Sequence, residues 1–283
     1  MIRRIVLLCV PGVVLSVNAS IAQDLDVGAS NTDNFGKWSV TLSAVASNVA
    51  IEIVDSEIEL PEALTDTDFE ATLSEELNVS STVVSGSVGY RILPFATVSA
   101  RVGLISSDTE TGVVITGTPN GPFGDVFDGQ IAVDRETSRE VDGYSLGLGA
   151  NAFLPIAEIG GDKLAAHGGF QYAWNQFDDT VTSEGATMNF GLVYPVNLER
   201  QNTIYSLGGS YNWISREVEQ SLVLNGETIR VQVTQEFKNP WGVQGGVAIP
   251  IADDLLLGVG VWHQLSGETT GLASLTYRFG TGQ

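Results

Sequence analysis

Strict alternation of apolar and small or polar residues, renewed over ten separate stretches, is the feature that most restricts what this chain can fold into. From Ala96 to Leu104 the even positions are Ala, Val, Ala, Val and Leu, while the odd ones are Thr97, Ser99, Arg101 and Gly103. From Tyr144 to Leu154 the even face reads Tyr, Leu, Leu, Ala, Ala, Leu, against Ser145, Gly147, Gly149, Asn151 and Phe153. Successive side chains of a strand point to opposite faces, so each stretch has one oily and one polar face. The same pattern marks segments around Trp38–Ala44, Val84–Ile92, Leu164–Trp174, Met188–Tyr194, Tyr205–Trp213, Trp241–Ile249, Leu255–Val261 and Ala273–Phe279. Glycine recurs on the polar face and aromatic residues sit near the ends of the apolar one. A two-sheet sandwich would bury its apolar face in a core and has no need of either habit. The pattern therefore predicts an all-β chain closed into an up-and-down antiparallel transmembrane β-barrel of about ten strands, eight or twelve being the neighbouring even counts.

The first residues set the compartment. Arg3 and Arg4 precede the apolar run Ile5 to Val17, and small residues follow through Ala22, the layout of a secretory signal peptide cut before Gln23. The run is broken by Pro11-Gly12 and is shorter than the ~20 residues a spanning helix needs. The reading divides the chain into a signal peptide over 1–22, an N-terminal segment over 23–36 and a barrel domain with long acidic outer loops over 37–283. The single cysteine, Cys9, falls in the leader, so chemistry through sulfur is not expected of the barrel, nor is any cofactor. With 13 basic against 34 acidic side chains the net charge is −21, which disfavours nucleic acid as a partner.

Turns and loops divide by length. Pro94-Phe95, Pro155-Ile156, Pro195-Val196 and Pro250-Ile251 each read as a tight turn, since proline cannot donate to a sheet ladder. The connections Glu52–Glu76, Asp108–Glu140, Asp178–Glu184, Arg216–Gln235 and Ser266–Thr270 are mostly longer and polar, as outward-facing loops are. Within the fourth, Asn225-Gly226 between alternating flanks is a type I′ hairpin signal. Glu52–Glu76 carries ten carboxylates and no base. Asp55, Glu57, Glu59, Asp66 and Asp68 are its candidates for holding a divalent cation, although their spacing departs from the EF-hand template. A solvated acidic surface is the default for such a run.

The last strand, with Leu275, Tyr277 and Phe279 alternating, resembles the carboxy-terminal signal of small outer-membrane β-barrel proteins of Gram-negative bacteria. That resemblance implies residence in the bacterial outer membrane, contact with its lipid and lipopolysaccharide, and delivery by the barrel-assembly machinery. Gly280-Thr281-Gly282-Gln283 after the aromatic departs from the usual pattern. Ten-stranded outer-membrane proteases of the omptin type use carboxylate and histidine together, but neither His167 nor His263 has a carboxylate at alternate spacing on its strand. Glycine runs such as Gly147–Ala152 alternate within a strand and lack the strand-turn-helix context of a dinucleotide site.

On the inward parity lie Lys37, Arg91, Arg101, His167 and Arg278, with no acidic residue in the same spanning stretches, so a basic lumen is expected. Three functions are compatible with these residues. The first is a non-enzymatic barrel that anchors acidic surface loops for a structural or interaction role. The second is a narrow porin-like channel for small anions, with Arg91, Arg101 and Arg278 setting selectivity. The third is a surface enzyme.

Overall fold

The computed structural model describes the backbone of residues 38–59, 72–74, 76–117, 131–177, 181–198, 201–224 and 227–279. The proposed leader, Lys37, Asp66, Asp68 and Asn225-Gly226 lie outside the described residues. Twelve strands form one antiparallel sheet. They are β1 (Trp38–Glu59), β2 (Thr72–Ser74), β3 (Glu76–Leu93), β4 (Ala96–Gly117), β5 (Ile131–Ile159) and β6 (Asp162–Phe177), followed by β7 (Val181–Leu198), β8 (Gln201–Leu224), β9 (Glu227–Phe237), β10 (Trp241–Ala252), β11 (Leu255–Gln264) and β12 (Thr269–Phe279).

The sheet closes on itself. β12 pairs with β1 in register Trp38↔Phe279 to Ser47↔Thr270, and β8 pairs with β10 in register Ile204↔Ala248 to Tyr211↔Trp241. At this level the wall runs β1-β3-β4-β5-β6-β7-β8-β10-β11-β12 and back to β1, ten strands with no free edge. The expected count is therefore met in the wall, and the two additional strands lie above it. β2 pairs with the far end of β4. β9 pairs with β8 on one side and with β1 on the other, through Ile51↔Phe237 to Glu59↔Arg230. Just above the belt, β9 thus replaces the three short strands β10, β11 and β12, and the ring narrows from ten strands to eight.

Three sequence expectations are revised. The outer connections are largely strand: β1 continues to Glu59, and the β4–β5 ladder runs on to Gly117↔Ile131. The hairpin expected over Arg216–Gln235 is present as β8 and β9, but it is sewn into the wall by β1 and does not project freely. Of the four proline turns only Pro94-Phe95 is itself a turn. Pro155 and Pro250 lie inside β5 and β10 at irregularities of register, and Pro195 lies inside β7. The β5–β6 reversal is made instead by Gly160 and Gly161, at φ 65° and 93°. A two-residue hairpin turn with positive φ at both central positions, as type I′ has, favours glycine, which adopts it at no steric cost.

The surface is inverted relative to a water-soluble protein. Leu104, Leu148 and Leu207 on the outer faces of β4, β5 and β8 are 72%, 67% and 71% exposed, and Val84, Val102, Met188, Phe190 and Val259 are exposed beside them. Thr41, Thr276 and Asn212 on the inner faces are fully buried. Aromatic pairs bracket this belt: Trp38 on Tyr90 (4.6 Å) and Tyr277 on Phe279 (6.1 Å) at the end bearing the short turns, Tyr144 on Trp174 (5.7 Å) and Tyr211 on Trp241 (5.0 Å) at the other. About ten residues at ~3.3 Å each, tilted as barrel strands are, cover the ~25 Å of a bilayer's apolar band. Leu148 sits in the middle of that band. Replacing it by arginine is expected to cost about 2–4 kcal/mol in reversible refolding into bilayers, whereas a water-facing Leu148 would tolerate arginine with no loss.

Candidate functional site: the barrel interior

The interior is built in layers, and the strand register sets them. Across β12, β1, β3 and β4 the inner faces are mostly hydroxyls, which pair between neighbouring strands: Thr41 with Thr276 (2.8 Å), Ser43 with Ser85 (2.8 Å) and Ser47 with Ser81 (3.2 Å). The wall from β5 to β8 carries amides. Thr187 donates to Asn212 Oδ1 at 2.9 Å, Asn212 Nδ2 donates to Ser210 Oγ at 3.3 Å, and Asn175 Nδ2 donates to Ser183 Oγ at 3.1 Å. Small hydroxyl side chains on one wall leave room for the longer amides and arginines of the other. Each of these cross-strand bonds offsets part of the cost of keeping polar groups inside a barrel surrounded by lipid.

An apolar cluster stands at each end of the polar interior. Near the short-turn end Val193, Ile204 and Ala248 cluster with Phe153 packed against them. At the opposite end, where β9 narrows the ring, Ile51, Val79, Ala173, Ile214, Phe237 and Trp262 form a second cluster, with Ile53 against it. Trp262 is 1% exposed and its indole packs against Gly242, where any Cβ would overlap it. The segment that carries the chain from β9 into β10 is pinned to this spot. Asn212 N donates to Pro240 O (2.8 Å), Leu265 N donates to Trp241 O (3.0 Å), and Gln264 Nε2 donates to Asn239 O. Just below, Leu272, Val45, Val83 and Ile105 form an apolar row, each in register with the next across β12, β1, β3 and β4.

The four described basic residues named from sequence parity, Arg91, Arg101, His167 and Arg278, lie on inward positions. Arg101 and His167 face inward, and Arg91 and Arg278 occupy inward positions of β3 and β12. They do not form one ring. Arg91 and Arg278 belong to the short-turn end, Arg101 lies near the middle of the belt, in register with Gly147, and His167 stacks on Phe153 with ring centroids 6.0 Å apart, opposite Gly191. Arg216, which the sequence reading assigned to a loop, is 1% exposed inside the barrel. Its Nη1 donates to Gln235 Oε1 (3.3 Å), and its guanidinium stands 5.7 Å from the Phe177 ring centroid. The signal that would have found it is continued alternation: Trp213 and Ser215 point outward, so Asn212, Ile214 and Arg216 point in.

Asp55 and Glu57 sit exposed on the upper part of β1 in register with Thr234 and Gln232, and Glu59 pairs with Arg230. They are therefore spread along one strand, not folded into a loop. Among the described residues no group of three or more histidine, cysteine or acidic side chains converges as a metal site would. His263 faces outward at the outer end of β11, its Nδ1 2.9 Å from Thr269 Oγ1. Leu275, Tyr277 and Phe279 of the terminal strand face lipid, in register with β1 and β11.

An even-numbered closed barrel, an apolar belt between aromatic girdles and short turns at one end define the class: the chain is a transmembrane β-barrel of the bacterial outer membrane. No family model and no curated protein matches the sequence. Solved structures to which it is similar include the outer-membrane protein OprG of Pseudomonas aeruginosa, at 11% identity over 87% of this chain and 96% of that one, TM-score 0.41. The translocator domain of the autotransporter NalP from Neisseria meningitidis is 12% identical over 90% and 92%, TM-score 0.42. The toluene transporter TbuX of Ralstonia pickettii is 12% identical over 93% of each chain, TM-score 0.36.

Of the five tryptophans, Trp262 alone is placed inside the barrel, which gives it a distinct optical signature. A variant keeping Trp262 and carrying phenylalanine at the other four is expected to resist quenching by both aqueous iodide and brominated lipid. One keeping only Trp241 should be quenched by brominated lipid. Iodide quenching of Trp262 in the folded protein would contradict the apolar layer.

Proposed function

We propose that this protein is a non-enzymatic outer-membrane barrel with a packed, non-conducting interior, which works by holding an acidic rim of long strands above the membrane for structural or interaction roles. The observation that carries this reading is the burial of polar side chains on the inner wall. Thr41, Asn175, Ser210, Asn212, Gln264 and Thr276 are all fully buried, although every one points into the lumen. A water-filled pore would leave such groups wet. The apolar layer around Trp262 adds a zone that ions cross only if it opens, since a hydrophobic constriction excludes hydrated charge. The dispersal of Arg91, Arg101 and Arg278 along the barrel likewise favours packing over a selectivity ring. The surroundings of the histidines support a non-catalytic role, His167 stacking on Phe153 and His263 pairing with Thr269.

The working surface is then the rim. Asp55 and Glu57 on β1 and Glu217 on β8 are exposed above the belt, on paired strands that hold them in place. Carboxylates so displayed would meet lipopolysaccharide through divalent cations or attract a basic partner. The terminal strand with Leu275, Tyr277 and Phe279 would be the segment read by the assembly machinery.

Planar-bilayer recording of the refolded protein tests the closed interior. The expected trace shows no discrete steps from a barrel whose folding is verified by its heat-modifiable mobility. Anion-selective steps, lost when Arg101 is changed to alanine, would replace this reading by the channel.

A further inference from the structure

We infer that the pocket beside Arg101, midway along the lumen, is a binding site for one small anion of halide size. The pocket has a volume of ≈ 20 Å³ and is lined by the polar side chains of Ser87, Ser99, Arg101 and Gln171, by Gly147 and Gly149, and by Leu148 and Tyr172. That is room for a single atom or molecule about as large as water.

Two absent side chains create it. A Cβ on Gly147 would stand 3.4 Å from Arg101 Nη2, and one on Gly149 would stand 2.9 Å from Ser99 Oγ and 3.3 Å from Gln171 Cγ. The guanidinium thus lies across the inner face of β5 because that face is bare there.

The chemistry of the lining is that of a donor nest. Arg101 brings a fixed positive charge and five N–H donors. Ser87 and Ser99 bring hydroxyls and Gln171 an amide, while no carboxylate lines the pocket. Arg101 also interacts with the barrel itself, so the site does not depend on a lone charge.

In a low-dielectric interior a compact anion gains more from a guanidinium and hydroxyl donors than a neutral molecule does. The inference holds for whichever surface role the barrel plays.

Crystals of the detergent-solubilised barrel grown in sodium bromide give the direct test. An anomalous peak is expected within hydrogen-bond distance of the Arg101 guanidinium and the Ser87 or Ser99 hydroxyl. In solution, thermal unfolding of the same protein should shift to higher temperature in bromide than in gluconate at equal ionic strength, since a ligand of the native state alone stabilises it. Gly149→Ala fills the pocket and keeps the arginine, so it should abolish the bromide-dependent shift and remove the peak. Arg101→Gln should do the same. Equal unfolding temperatures in the two salts would overturn the inference. So would bromide peaks confined to the surface, or a pocket peak that persists in Gly149→Ala, which would identify an adventitious ion only.

Discussion

The interior of this barrel depends on where β9 finds its partners. It leaves β8 after a hairpin and pairs with β1 from Ile51 to Glu59, passing over the ends of β10, β11 and β12. Ten strands enclose the lumen within the belt and eight enclose it just above. A barrel of eight strands is only wide enough for side chains to fill, so the narrowing converts the outer mouth into a core. That is why Ile51, Phe237 and Ile214 point inward, and why Trp262 at the end of a short strand can close beneath them. The bonds from Gln264 and Leu265 to the β9–β10 connection hold the step in place.

Below the step the problem is different, because polar side chains must be kept inside a wall whose outer surface faces oil. Hydroxyls on β12, β1 and β3 bond to one another across strands, and amides bond to hydroxyls across β6, β7 and β8. Each such bond adds only ~1 kcal/mol net, but leaving either partner unpaired would cost more than the bond gains. The result is an interior specified by register: a slip of one residue in β1 would send Ser39, Thr41 and Ser43 to the lipid and Leu42 to the lumen.

Much of this was legible in the sequence. Parity alone placed Arg91, Arg101, His167 and Arg278 on inward positions and Leu148, Leu207 and Tyr277 on lipid, because a period of two admits only two assignments and one of them is oily. The closed even-numbered wall followed from the count of apolar faces. The filled mouth was not legible, and the reason is physical: above the belt the apolar face of the strand turns inward and the polar face outward, so an oily face no longer marks the lipid side. Val49, Ile51 and Ile53 continue the odd parity of Ser39, Thr41 and Ser43, yet their chemistry changes from polar to apolar just where the ring narrows. Ile229, Val231 and Val233 alternate as a strand should, but the Asn225-Gly226 signal that marks their hairpin says nothing of β1 as the second partner. Charge points Arg216 to an outer connection and parity points it to the lumen, and parity decides. An acidic run such as that of Asp55 and Glu57 reads as solvated coil, whereas pairing with β9 makes it strand.

The filled interior is the claim on which the rest stands, and thiol accessibility tests it most directly. In a chain with Cys9 changed to serine, Thr276→Cys and Asn212→Cys place single thiols on the inner wall, and Glu217→Cys places one on the exposed rim. With the protein folded in lipid, a membrane-impermeant maleimide should label the rim position and leave both lumen positions unlabelled until denaturant is added. Labelling of Thr276→Cys or Asn212→Cys at the rate of Glu217→Cys would show a water-filled lumen and contradict the account.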